Sequence, residues 1–492
     1  MNFRIVSIVF VLFISCKQSS VEVSTNEQKI SIIPKPDQLS KKDGYFSITE
    51  KTNFFFKDEQ LKTLATFFIE KIEKSIGVTL GFGEEKKNNS IHLVIDNSLS
   101  IEEEAYRFVS SKEGVTVTAK TSKGIFYGLQ TLLQLLPTDP AQDLKIPSVE
   151  IKGMHLDVSR HFFSIDFIKK QLDVLALFKI NKFHWHLTDD QGWRVEIKKY
   201  PKLTEISSVR RNKDNTIHKG YYTQEQIKEV VAYAKERFID VVPEFDTPGH
   251  AIAILEAYPE LACEEKDYKV RNLWGVESSI LCAGKEETFT FIADVVAELA
   301  TLFPYEYFHM GGDEVPKDEW EKSLDCQTVM KKENLKDVNE LQSYFMKRVE
   351  DILKSHNKKM IGWDEILEGG ITPTTNIMSW QGEEGGIKAA NAGHDVIMTP
   401  SKYVYLNFYQ GDLKVEPMAF GGYIPLEKIY NYNPIPKEIR EDKRKHILGA
   451  QANVWTEYAD KNETIEYLLY PRIIALAETT WTSAKNKDYK DF

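Results

Sequence analysis

Residues 305–320 read "YEYFHMGGDEVPKDEW". A short aromatic and apolar run ends at Gly311-Gly312, and Asp313 and Glu314 follow at once. The run has the length and composition of a buried strand. Neighbouring side chains of a regular strand point to opposite faces. A strand continued through both acids would therefore aim only one of them at a shared site. Glycine lets the backbone leave the pleat, so Gly311-Gly312 is expected to end the strand and free both carboxylates to reach one mouth.

The same format recurs along the chain. From Ile151 onward, "KGMHLDV", "NKFHWHL", "FIDVVPEFD", "YEYFHMGG", "KKMIGW", "TNIMSW", "HDVIMT" and "HILGAQANVW" read as strands. Amphipathic helical stretches separate them, among them "SIDFIKKQLDVLALFK", "TQEQIKEVVAYAKER", "TFTFIADVVAELATLF" and "VNELQSYFMKRVEDILKS". Eight strands with intervening helices predict a closed parallel (β/α)8 TIM barrel over 149–492. Residues 30–148 predict a smaller α/β accessory domain of sheet plus helices, with "LPTDPAQDLKIP" as the linker.

Polar residues fall where such a barrel uses them. Asp157 and Arg160, Asp189 and Asp190, Asp246 and His250, Asp313 and Glu314, Trp363 and Asp364, Trp380, and Trp455 and Glu457 all stand at or just after the ends of strand candidates. Catalytic groups of this fold sit at the carboxyl ends of strands. Two long connections, Trp193 to Tyr222 and Pro400 to His446, are expected to build walls of the site.

Acids and tryptophans at one rim suggest a sugar. Pyranose C–H faces lie on indole, and hydroxyls take forked hydrogen bonds from Asp, Glu and Arg. Cleaving a glycoside usually takes two carboxylates about 5–9 Å apart on opposing sides. Adjacent acids suit substrate-assisted hydrolysis better, where a 2-acetamido group is the nucleophile. One acid protonates the leaving group and the other holds the acetamide N–H.

Together, "GMHLDVSRHF", "NKFHWHLTDDQGWR", "VVPEFDTPGHA", "FHMGGDE", "GWDE", "SWQG" and "NVWTE" resemble, in order, the family 20 glycoside hydrolases, the β-N-acetylhexosaminidases. The resemblance spans nearly the whole chain and includes an accessory α/β domain. It implies a retaining exo-enzyme that removes terminal β-linked GlcNAc or GalNAc from an oligosaccharide or glycoconjugate, without metal or cofactor. Glu314 would be the general acid and then base. Asp313 would orient the acetamide, and Tyr405 would bond its oxygen. Arg160 and Glu457 would hold O3 and O4. Trp363, Trp380 and Trp455 would enclose ring and methyl, with Asp246 among the binding residues. His250, backed by Asp189 or Asp190, would tune Glu314, and the neighbouring carboxylate is expected to raise that acid's pKa. The family often carries Asp where this chain has Asn407, near O6. The lost charge predicts tolerance of a 6-sulfate.

The ends and the bulk numbers add context. Residues 1–16, "MNFRIVSIVFVLFISC", have the layout of a bacterial lipoprotein signal with Cys16 as the lipidated residue, although Phe13 stands where Leu is more usual. Residues 17–29 read as a polar tether. The expected location is the periplasm or the outer membrane or cell surface, with membrane contact only through the lipid. A net charge of −11 over 492 residues excludes a phosphate-backbone binder. Export permits a disulfide: Cys263 and Cys282 flank a polar loop that a bridge would staple, while three free thiols, with Cys326, is the other arrangement. Two further function classes fit parts of the pattern. One is a metal-dependent barrel hydrolase using His184 and His186. The other is a glycan-binding lipoprotein without catalysis.

Overall fold

The computed structural model describes residues 30–40, 46–136 and 151–492. The signal segment with Cys16, the tether and nearly all of the linker lie outside the described residues.

The eight barrel strands are Ile151–Asp157, Lys182–His186, Asp240–Thr247, Tyr307–Gly311, Lys359–Trp363, Asn376–Ser379, Val396–Met398 and Ile447–Val454. Each pairs in parallel with the next, and the eighth closes on the first. Every strand read from the sequence is therefore present, in order. The reason is burial on both faces, which gives parallel strands near-continuous apolar runs bounded by turn residues. Inside the barrel, Val242, Tyr307, Ile361, Trp363, Met378, Ile397 and Leu448 form one apolar cluster, which fills the bore as a core rather than a pore.

Side-chain caps set several helix starts. Ser164 accepts from the Phe167 N–H to begin Ile165–Leu177, and Asp337 accepts from Asn339 and Glu340 to begin Val338–Ser355. Thr223 and Gln226 form a reciprocal capping box at Gln224–Lys235. These helices bury stripes such as Phe167, Ile168, Leu172 and Leu175 against the strands.

The accessory sheet has five strands in the order Gly81–Phe82, Asn53–Phe55, Ser90–Ile95, Gly114–Ala119, Tyr106–Ser111, with only the last pair antiparallel. Helix Ser122–Gln134 lies between this sheet and the barrel. Phe126 meets Phe238 at 5.1 Å, Tyr127 meets Trp481 at 5.4 Å, and Gln134 donates to the Leu177 carbonyl at 2.8 Å.

A charged joint completes the contact. Glu104 takes the ammonium of Lys152, at the start of the first barrel strand, together with Lys123 at 2.6 Å and Asn181 Nδ2 at 2.8 Å. Burial works against its charge, but the two lysines hold its carboxyl down at about 2. Burial brings the Lys152 ammonium to about 8. Removing one partner of such a pair strands a buried charge and costs about 3–5 kcal/mol, whereas replacing both with apolar groups is often neutral. Glu104→Ala should thus lower the melting temperature more than the double variant Glu104→Met/Lys152→Met, as read by calorimetry.

Candidate active site

At the carboxyl ends of the barrel strands lies a pocket of about 150 Å3. Its lining includes Arg160, Asp189, Asp246, His250, Asp313, Glu314, Trp363, Trp380, Tyr405, Asn407, Trp455 and Glu457. These are all the site residues expected from the sequence except Asp190. Ser401, Phe408 and Phe420 also line it and were not foreseen. The long connection 400–446 delivers Ser401, Tyr405, Asn407 and both phenylalanines. The connection 193–222 contributes nothing to the lining. It supports Arg160 from behind, where Arg210 donates to the Arg160 carbonyl at 2.7 Å.

The backbone leaves the pleat where the acids begin. Gly311 has φ +69° and Gly312 φ +96°, and Glu314 itself sits at φ +48°. A Cβ on Gly311 would come within 1.6 Å of Asp246 Oδ1, so only glycine lets the two strand ends approach so closely. His250, which faces Glu314, is also left-handed at φ +49°. Such backbone in non-glycine residues costs about 1–3 kcal/mol each and persists where the surroundings over-determine it. The consequence is that Asp313 and Glu314 open onto one pocket.

The two acids have opposite environments. Asp313 is buried, and burial pushes its carboxyl up to about 6 despite the nearby His250 cation. Glu314 is exposed, and its contact with His250 holds its carboxyl below the usual range. This corrects the sequence expectation that the neighbouring carboxylate would raise Glu314. The neighbour's charge acts on the buried partner, and His250 Nε2, 3.5 Å from Glu314 Oε2, dominates the exposed one. Burial disfavours a charged His250, but Asp189 outweighs it and holds the imidazole well above its ordinary value.

Asp189, not Asp190, makes the bond to that histidine. His250 Nδ1 donates to Asp189 Oδ1 at 3.1 Å. Asp190 Oδ1 accepts from the Ile252 backbone at 3.1 Å, and its Oδ2 stands 3.8 Å from His250. Asp190 therefore fixes the chain around His250 rather than the ring. Asp189 Oδ2 also takes Arg160 Nη2 at 2.8 Å. Arg160 Nε donates to Gln191 at 2.9 Å, and its guanidinium lies 5.0 Å over the Trp455 ring.

Carboxylates pin two of the three tryptophans. Trp363 Nε1 donates to Glu244 Oε1 at 2.9 Å, and Trp380 Nε1 to Glu365 Oε2 at 2.8 Å. Trp380 and Tyr405 lie nearly parallel, at 8° and 6.0 Å. Burial pushes the Tyr405 phenol well above its ordinary value, so it remains a hydrogen-bond donor. Glu457 Oε2 and Asn407 Oδ1 are buried without a protein partner, and burial raises Glu457 to about 7. Unpartnered polar atoms around a concave site are what a hydroxylated ligand satisfies.

His184 and His186 do not line the pocket. They turn inward to Glu244, which His155 and His309 also approach. Sequence reading missed Glu244; its signal was four histidines at strand positions of one parity. His155–His184–Glu244 and His186–Asp189–Asp246 are close enough to share a cation, but Glu244 and Asp189 already take protein N–H groups. Cys263 and Cys282 form a disulfide, with the buried Cys326 thiol 3.7 Å from each sulfur.

Comparison with known proteins shows the family. Residues 150–484 match the profile of the glycosyl hydrolase family 20 catalytic domain, and residues 29–152 that of the family's domain 2. The β-hexosaminidase of Porphyromonas gingivalis is 50% identical over 97% of this chain, which spans 64% of that protein's length. The Vibrio harveyi exo-β-N-acetylglucosaminidase solved with N-acetylglucosamine superposes with a TM-score of 0.85 at 32% identity, covering 94% of this chain and 75% of that one. The Bacteroides fragilis β-N-acetylhexosaminidase gives 0.83 at 32% identity, covering 94% and 93%. With both of its parts matched, this chain belongs to glycosyl hydrolase family 20.

Proposed function

We propose that the chain is a retaining, exo-acting β-N-acetylhexosaminidase that removes terminal GlcNAc or GalNAc through an oxazolinium intermediate. The observation that carries this reading is the left-handed turn that opens Asp313 and Glu314 onto one tryptophan-lined pocket. Support also comes from relatives named as β-hexosaminidases and β-N-acetylhexosaminidases.

Each residue then has a chemical task. Arg160 and Glu457 grip the hydroxyls of the terminal sugar, and a pocket of only about 150 Å3 limits cleavage to single residues. Trp363, Trp380 and Trp455 exclude water around the acetamide. Asp313 accepts its N–H, and the Tyr405 hydroxyl donates to its carbonyl oxygen. That oxygen attacks C1 as the bond from C1 to the leaving oxygen breaks, and Glu314 gives its proton to the departing oxygen. Glu314 then takes a proton from a water that attacks C1 on the vacated face as the bond from C1 to the acetamide oxygen breaks and the acetamide is restored, so the product keeps the β configuration. His250 shares the proton that Glu314 donates and regains.

Asn407 sets the finer specificity. Its amide has an unpaired buried oxygen on the pocket wall and carries no charge. An anionic substituent at O6 meets no like charge there. We also propose export with a lipid on Cys16, supported by the sequence pattern; Cys16→Ser should move the protein out of the membrane fraction.

Two variants separate the acids. Glu314→Gln should lower kcat on unactivated aryl β-GlcNAc glycosides by about 10²–10⁴-fold, the usual worth of a general acid. It should cost much less with a dinitrophenyl leaving group. Asp313 works as a carboxylate with its pKa raised to about 6, so kcat/KM should fall as pH drops through about 6. Asp313→Asn should be slow at every pH and lack that limb. Full activity of Glu314→Gln on both glycosides would sink the assignment.

Asn407→Asp should lower the kcat/KM ratio of 6-sulfated to plain β-GlcNAc glycosides about tenfold, equivalent to about 1.4 kcal/mol. An unchanged ratio would remove Asn407 from the specificity argument.

A further inference from the structure

The histidine behind Glu314 is itself backed by a longer line of contacts. Glu314 Oε2 stands 3.5 Å from His250 Nε2, and His250 Nδ1 is 3.1 Å from Asp189 Oδ1. The other Asp189 oxygen takes His186 Nε2 at 2.8 Å, and His186 Nδ1 meets Glu244 Oε2 at 2.5 Å. The second Glu244 oxygen accepts the Trp363 indole N–H at 2.9 Å. All members of this line except Glu314 are buried.

We propose that Glu244 is a positioning residue that serves both halves of the reaction, fixing the acid's relay through one oxygen and the Trp363 wall through the other. This rests on the reading of Glu314 as the acid.

Strand register builds the arrangement. Glu244 pairs with His186 on one neighbouring strand and with His309 on the other, and His155 pairs with His184 two residues earlier along the strands. The inward side chains of these four strands converge on the Glu244 carboxylate. A barrel layer is normally filled by branched apolar residues, and a buried carboxylate is poor filler. Here each of its oxygens is aimed at a different functional side chain.

The geometry also dictates the protonation. His186 stands between two carboxylates and can donate both ring N–H groups, one to Glu244 and one to Asp189. Burial opposes that charge, but Glu244 and Asp189 outweigh it and hold the imidazole well above its ordinary value. The other groups facing the pair are His155, His184 and His309, Asp246 and Arg160. Burial keeps His155 and His184 below their ordinary value, so they add no competing cation at neutral pH. With His186 Nδ1–H committed to Glu244, Nε2–H must meet Asp189 Oδ2. Asp189 then presents Oδ1 to His250, which fixes the ring that faces Glu314.

The full-length protein and Glu244→Gln test this with two β-GlcNAc glycosides, one with a dinitrophenyl and one with a phenyl leaving group. Glutamine keeps an acceptor for Trp363 but removes the charge on His186. The variant should lose at least about tenfold in kcat on the phenyl glycoside and less than about threefold on the dinitrophenyl one, with KM for both near wild type. Equal losses on both, or no loss, in a variant that melts with the wild type would overturn the proposal. If Glu244→Gln does not fold, ring-labelled histidine spectra of the wild type, assigned with His186→Gln, read the same point. His186 should be an imidazolium with both N–H protons protected, and a neutral His186 at neutral pH would overturn it. A wild type inactive on both glycosides would instead defeat the functional reading itself.

Discussion

Two adjacent carboxylates must reach the same few ångströms of space, and a strand cannot place them there. The left-handed run at Gly311-Gly312 resolves that conflict, and much of the site depends on it. The turn needs Gly311 because Asp246 from the neighbouring strand occupies the volume of any Cβ. Asp246 is in turn buried and held well above its ordinary pKa, first by burial and then by Asp313. That rise eases the repulsion a second carboxylate would meet beside Asp313. The backbone turn, the close approach and the raised Asp246 carboxyl are therefore one arrangement, not three.

The same logic extends to the walls. Indole N–H groups in an apolar cage need acceptors, and Trp363 and Trp380 each find a carboxylate behind the pocket surface. Glu365, held at about 8 by burial and by Asp313, can serve Trp380 without adding charge beside Asp313. Glu244 carries its charge because His186 neutralises it. Two tryptophans that a sugar would touch are thus oriented by acids that it does not touch. That separation keeps the contact surface apolar while holding the rings fixed.

The fold was legible because each barrel strand is buried on both faces and closes on a turn signal, which is a local pattern. The pocket residues were legible for a related reason: position at a strand's carboxyl end puts them at the rim. What the sequence did not reveal depends on distance across the barrel. Asp189 and Asp190 are equivalent on paper, and only the approach of His250 from the next strand distinguishes them. The depressed Glu314 pKa depends on which of the two adjacent acids meets the His250 ring, which the turn decides. Phe408 and Phe420 sit in a long connection without periodicity. Glu244 reads as one more polar residue in an apolar strand until the register brings four histidines to it.

The disulfide acts on the site through a similar chain of contacts. Cys263 and Cys282 are 19 residues apart, and closing a loop of that size removes unfolded-state freedom worth about 3 kcal/mol in the chain-entropy account. The loop's interior carries the useful part. The Leu273 carbonyl accepts from Gln191 Nε2 at 2.9 Å, and the other end of that amide takes Arg160 Nε at 2.9 Å. The Arg271 N–H donates to the Asp190 carbonyl at 3.0 Å. Beside it, Trp274 lies 5.3 Å from the Arg210 guanidinium that supports the Arg160 backbone. Arg160 is thus held from its side chain and from its backbone by groups that converge on one stapled loop. A long arginine loses much rotamer freedom when a ligand orders it. Ordering it in advance, through a bridge suited to an oxidising compartment, transfers that cost from binding to folding.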